Sequence, residues 1–142
     1  MLLSDCEKQA MALMAHYGLD SWSFTFDNAV RRFGACNYTY RRISLSRSLV
    51  QLNSPEVVGQ TVLHEIAHAI AGPSHNHDHI WLATARSLGY TGGRTYERTV
   101  IRPQGKYEAE CDCPLGIHSM NRRPRLQYRC RVTKTPLVFK RV

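Results

Sequence analysis

Between Ser4 and Tyr17, apolar residues recur at spacings of three and four through Ala10, Leu13, Met14 and Tyr17. This period predicts an amphipathic helix that Ser4 or Asp5 can cap and Gly18 stops. The period then changes to two. In Trp22-Ser23-Phe24-Thr25-Phe26 large rings alternate with small polar residues, which puts three rings on one face of a half-buried strand, with Asp27 and Asn28 as a turn. A second strand is expected within Phe33 to Tyr40, where Cys36 reads as a packed thiol. Arg42 to Ser46 gives a third strand, with Ile43 and Leu45 on one side and Arg42 and Ser44 on the other. Asn53 or Ser54 ahead of Pro55 and Glu56 starts a helix that runs to about Ala71, where Gly72-Pro73 ends it. Leu63, Ile66, Ala67 and Ile70 form its apolar stripe with Val62 at the edge, while Thr61, His64 and His68 fall on another side. A further helix is expected from His79 to Leu88, with Gly89 as its stop. Thr91 to Thr95 is a polar break, Tyr96 to Arg102 reads as a strand, Pro103-Gln104-Gly105 as a turn, and Leu137-Val138-Phe139 is a short apolar end.

Composition and charge divide this pattern in two. At 142 residues and 43% hydrophobic, the chain can bury one compact core with a small appendage. No long uncharged apolar run is present, so no membrane association is expected. Met1 to Ala15 carries Asp5, Glu7 and Lys8 where a signal peptide would be apolar, so the expected location is the cytoplasm, close to the nucleoid in a bacterium. Residues 1–93 hold seven basic and seven acidic side chains, whereas 94–142 hold twelve and four, so the whole net charge of +8 lies in the last third. A neutral body over residues 1–92 and a basic subdomain over 93–142 are expected, the second suited to a polyanion such as nucleic acid.

The chemistry of the body lies in His64-Glu65-Ile66-Ala67-His68. Histidines four apart on a helix project from one face and can grip one zinc ion, with the carboxylate of Glu65 beside them as general base. Burying these groups on so apolar a helix is costly unless a cation neutralises them. His75, His77 and His79 cluster at the start of the next helix, and spacing alone leaves open which of them is a third ligand. In the basic part, Cys111, Cys113, His118 and Cys130 number the four ligands of a closed structural zinc site. Their spacing is unusual, because the first pair is Cys-x-Cys and Thr133 stands where a partner for Cys130 would fall. Between and beside these residues lie Arg122, Arg123, Arg125, Arg129 and Arg131, suited to phosphate, and Tyr128, suited to stacking on an exposed base.

These residues resemble the SprT-like family of zinc metallopeptidases, which includes the Spartan proteases of DNA–protein crosslink repair. The resemblance covers Arg42-Ile43-Ser44-Leu45-Ser46, Asn53-Ser54-Pro55-Glu56, Thr61 to Ala69 and Gly72 to Trp81, in family order. It implies an α+β fold: a minimal zincin-like core of N-terminal helix, three-stranded sheet, active-site helix and following helix, plus a small C-terminal β subdomain like a zinc ribbon. It selects His77 as the third zinc ligand, four positions before the aromatic Trp81. It implies a catalytic zinc and a C-terminal zinc ribbon, in which either His118 takes the place of the cysteine absent at Thr133 and holds a second, structural zinc, or the ribbon has lost its metal. The implied function is a metalloendopeptidase brought to DNA, single-stranded or at a junction, and acting on DNA-associated or crosslinked proteins. By analogy with other such peptidases, an extended substrate is expected to add to the sheet edge near Arg42 to Ser46. The rival reading is a non-proteolytic, zinc-stabilised protein that binds nucleic acid and regulates.

Overall fold

The computed structural model describes residues 1–94 and 100–142. The chain divides into two compact units, Met1–Pro103 and Gln104–Val142. The division falls beyond the break expected after residue 92, because Val100 is buried in the first unit's core and Asn53 clasps Ile101 through both its backbone groups, at 2.8 and 2.9 Å. Most of the strand expected at Tyr96 to Arg102 lies outside the described residues.

In the first unit α1 spans Leu3–His16. Neither expected cap is used: the residue before the helix is Leu2, without a side-chain cap, and Asp5 sits instead inside the first turn, where its charge suits the helix dipole. Cys6, Ala10 and Met14 form its buried stripe. Strands β1 (Ser23–Asp27), β2 (Gly34–Asn37) and β3 (Arg42–Ser46) make one sheet in the order β1-β3-β2. β3 is therefore the central strand, paired in parallel with β1 (Phe24 opposite Ile43) and antiparallel with β2 (Cys36 opposite Ile43). This corrects the expectation of a free edge at Arg42 to Ser46. Both sides of that strand already have partners, and among the described strands β2 stands at one end of the order. Ile43 and Leu45 are fully buried beneath the sheet.

A short helix that the apolar pattern did not announce, α2 (Arg47–Leu52), follows at once, capped by the Ser46 hydroxyl on the Leu49 amide. Then α3 runs over Pro55–Ala71, capped by the Ser54 hydroxyl on the Val57 amide and closed by Gly72 at φ 92°. Only glycine takes that backbone freely. α3 packs against α1, against β2 and against α4 (His79–Ser87). Its Val58, Val62 and Ile66 join α1 and the sheet in one core, and Leu63 and Ala67 join Trp81, Ala85 and Tyr90 in a second. Ile70, expected in the apolar stripe, is 45% exposed, while its neighbours Ala69 and Ala71 are the residues of that turn that pack against the two clusters.

The second unit is built from short antiparallel pairs. β4 (Tyr107–Glu110) is flanked by β5 (Ile117–Met120) and β8 (Lys140–Arg141), and β6 (Tyr128–Arg129) pairs with β7 (Pro136–Leu137). Its buried core consists of Ala109, Cys113, Cys130 and Leu137, with Cys111 and Phe139 against it.

Candidate active site

Three imidazoles meet in the first unit. His64 and His68 stand one turn apart on α3, and His77 arrives from the loop between α3 and α4, bringing its Nε2 to 3.0 Å from that of His64 and 2.8 Å from that of His68. His77 holds a left-handed backbone, φ 54°, which few residues other than glycine adopt and which clusters at functional sites. Its neighbours fix the loop around it. Asp78 caps α4 through the Trp81 amide at 2.9 Å and pairs with His75 Nδ1 at 2.7 Å, so His75 is turned to Asp78. His79 begins α4. Of the three clustered histidines, His77 is thus the one brought to the pair on α3.

Trp81, fully buried, lies against all three rings, stacked on His68 at 5.2 Å and edge-on to His77 at 4.7 Å. Burial holds His64 and His68 in the neutral form, with pKa lowered to about 3 and about 4, helped by the mutual repulsion of the imidazoles. Neutral nitrogens this close repel unless a proton or a cation lies between them. Three imidazole nitrogens open to a cavity on one side are the donor set of a catalytic zinc site, so the residues fit that ion.

The cavity, of about 450 Å³, is bordered by β2 at Gly34, Ala35 and Cys36, and by His64, Glu65, His68 and His77. Glu65 is almost wholly buried, and Gly34 makes room for it: a Cβ at that position would lie 3.0 Å from Glu65 Cγ and 2.8 Å from Leu45 Cδ2. Cys36 is not the packed core thiol expected from sequence. It is half-buried and lines the cavity: Cys36 shares the inward face of its cross-strand partner Ile43, but β2 lies at the margin of the sheet, where that face opens to the cavity instead of being covered. Burial, then the nearby Glu65 charge, raises its pKa to about 12, which keeps it a thiol. Tyr38 also lines the cavity and donates to the His68 carbonyl at 3.1 Å. Arg32 and Arg94 line it as well.

The profile of the SprT-like family matches residues 6–102. The chain belongs to the SprT-like family. Its fold is that of a metallopeptidase: the crystal structure of the metallopeptidase zymogen of Methanocaldococcus jannaschii jannalysin superimposes with a TM-score of 0.50 at 14% identity, over 58% of this chain and 79% of that one. No curated protein matches the sequence. As the SprT-like resemblance implied, the N-terminal helix, three-stranded sheet, helix carrying His64 and His68 and following helix occur in that order.

The SprT-like match ends before a second cluster, in the C-terminal unit. The ligand atoms of Cys111, Cys113, His118 and Cys130 lie within 4.8 Å of one another. Cys113 Sγ is 3.3 Å from His118 Nε2. Thr133, in the place of a fourth cysteine, instead sends its amide to Cys130 Sγ and sets its hydroxyl against Cys111 Sγ, each at 3.5 Å. The hydroxyl and then the amide of Thr133, both close to Cys130, pull its pKa down to about 5, favouring the thiolate that binds metal. Arg122, Arg123, Arg125, Arg129 and Arg131 are all exposed, and Tyr128 leaves 39% of its surface open while its ring meets Phe139 edge-on at 5.9 Å. No helix among the described residues is long and apolar enough to cross a membrane.

Proposed function

We propose that this chain is a zinc-dependent endopeptidase recruited to DNA by its basic C-terminal unit, cutting proteins bound or crosslinked to DNA. The convergence of three histidine Nε2 atoms beside a buried glutamate, in a cavity bordered by β2, is the observation that carries it. His64, His68 and His77 would hold the zinc. When bound, zinc supplies Lewis acidity that polarises the scissile carbonyl and brings the pKa of an attacking water toward neutrality. Glu65 accepts the proton of that water and delivers it to the leaving amine. The substrate lies extended in the cavity beside β2, so recognition is of main chain more than of side chains.

The C-terminal unit supplies the address. Cys111, Cys113, His118 and Cys130 would hold a structural zinc. A unit of about 39 residues, with four buried apolar residues at its core, needs such a staple to stay folded. Around it, the exposed arginines contact phosphate and Tyr128 stacks on an unpaired base, which makes binding salt-sensitive and tolerant of sequence.

The deciding experiment compares the chain with Glu65→Gln on a DNA-bound protein substrate, with and without single-stranded DNA. The expected result is cleavage stimulated by the DNA and reduced at least about 100-fold in the variant, with zinc content unchanged. Zinc and DNA binding with no cleavage by either protein would favour the rival, a non-proteolytic nucleic-acid-binding role.

A further inference from the structure

We propose that Tyr90 is a positioning residue for the metal: its phenol fixes the tautomer and the tilt of His64, and Gly92 is glycine so that the phenol can reach it. This deepens the zinc reading above and rests on it.

Tyr90 lies just beyond α4, where Gly89 at φ 93° reverses the chain and the Tyr90 amide returns to the Ala85 carbonyl at 3.1 Å. Arg86 holds the residue from two sides, donating to its carbonyl at 2.8 Å and standing 5.8 Å from the centre of its ring. The side chain is only 4% exposed, packed edge-on against His64 at 5.4 Å and against Trp81 at 5.9 Å. Its hydroxyl lies 2.7 Å from the Gly93 carbonyl and 3.3 Å from His64 Nδ1.

Proton accounting gives this chain a direction. A carbonyl only accepts, so the single phenol proton goes to Gly93, and the oxygen presents a lone pair to His64. His64 Nδ1 must then carry the imidazole proton and donate it. The remaining ring nitrogen, Nε2, keeps its lone pair and is the atom that meets His77 Nε2 at 3.0 Å. Loss of the phenol oxygen removes this acceptor for the Nδ1 proton and so favours the tautomer protonated on Nε2, which cannot bind a metal through that atom. Partners that orient the far nitrogen of a metal-binding histidine have this role in general.

Gly92 supplies an independent observation. A Cβ there would lie 2.5 Å from the Tyr90 hydroxyl oxygen and 2.7 Å from Cζ, closer than real Cβ contacts come. An alanine would displace the phenol from His64 while leaving every side chain of the histidine cluster intact.

The test uses the full chain and reads zinc affinity by chelator competition, with the thiolate site of the C-terminal unit as internal reference. Tyr90→Phe keeps the ring and removes the oxygen. It should weaken zinc at the histidine site about 10- to 100-fold, shift the visible spectrum of cobalt bound there, and leave the unfolding midpoint of the metal-free chain in place. Gly92→Ala should weaken zinc in the same direction. Wild-type affinity in both variants overturns the inference, as does a fall in the metal-free midpoint large enough to account for the loss. If the unaltered chain binds no metal at its histidines, the zinc reading itself falls, an outcome distinct from failure of the tyrosine's role.

Discussion

At the scale of single residues, the first unit's histidines tie stability to pH. His64 and His68 have folded-state pKa values of about 3 and about 4, against an ordinary histidine value of 6.5, burial being the leading cause for both. In the metal-free chain the unfolded state therefore binds more protons than the folded one below about pH 6.5. The stability of the neutral pair is complete above that pH and is lost progressively as pH falls toward about 4. Between about pH 6.5 and 5 most carboxylates are still ionised, so this window isolates the imidazoles. The unfolding midpoint of metal-free protein should drop across it, and replacing both His64 and His68 by Asn should flatten the drop. An unchanged slope in that double variant would place the titration elsewhere.

Elements show how a motif becomes a site. The cap at Ser54 and the stop at Gly72 fix the length of α3, and both were readable because capping is a local matter of a few residues. The cap of α4 has a second task, since Asp78 also pairs with His75 beside the strained backbone of His77. Two variants separate length from placement. Ser54→Ala should lower stability by about 0.5–1 kcal/mol and leave zinc affinity alone, because it frays an end of α3 remote from His64 and His68. Asp78→Ala should weaken zinc binding measurably, because the loop that presents His77 loses both its anchors; equal zinc affinities in the two variants, measured by chelator competition, would contradict this. α2 escaped the reading because Arg47-Ser48-Leu49-Val50-Gln51-Leu52 is too short to display a helical period, and its start depends on the Ser46 cap at the end of a strand.

For the whole molecule, the two clusters predict two zinc ions per chain, one in each unit. Metal analysis of the purified protein should give a stoichiometry of two, falling to one in His77→Ala and to one in Cys130→Ala. The second variant should also lose binding to single-stranded DNA, since Arg129 of β6 and Arg131 flank Cys130 directly. One zinc in the unaltered chain, retained in Cys130→Ala, would make the C-terminal cluster a set of free thiols.

The sequence by itself determined what is local or periodic: the helix carrying His64, Glu65 and His68, the three strands, the break of charge and the count of soft ligands near the C-terminus. Those follow from side-chain spacing and from caps and stops, which act within a few residues. Only tertiary structure decided what depends on which elements become neighbours. The sheet order put β3 in the centre and left β2 at one end among the described strands. The same order put Cys36 at the open margin of the inward face it shares with Ile43, because an alternating strand does not say whether its inward face is covered by core or meets a cavity. Tyr90 reaches His64 across 26 residues only because α4 packs on α3 and Gly89 folds the chain back. From Thr91 to Thr95 the sequence shows a polar break; the contact of the preceding Tyr90 with His64 exists only in the folded chain.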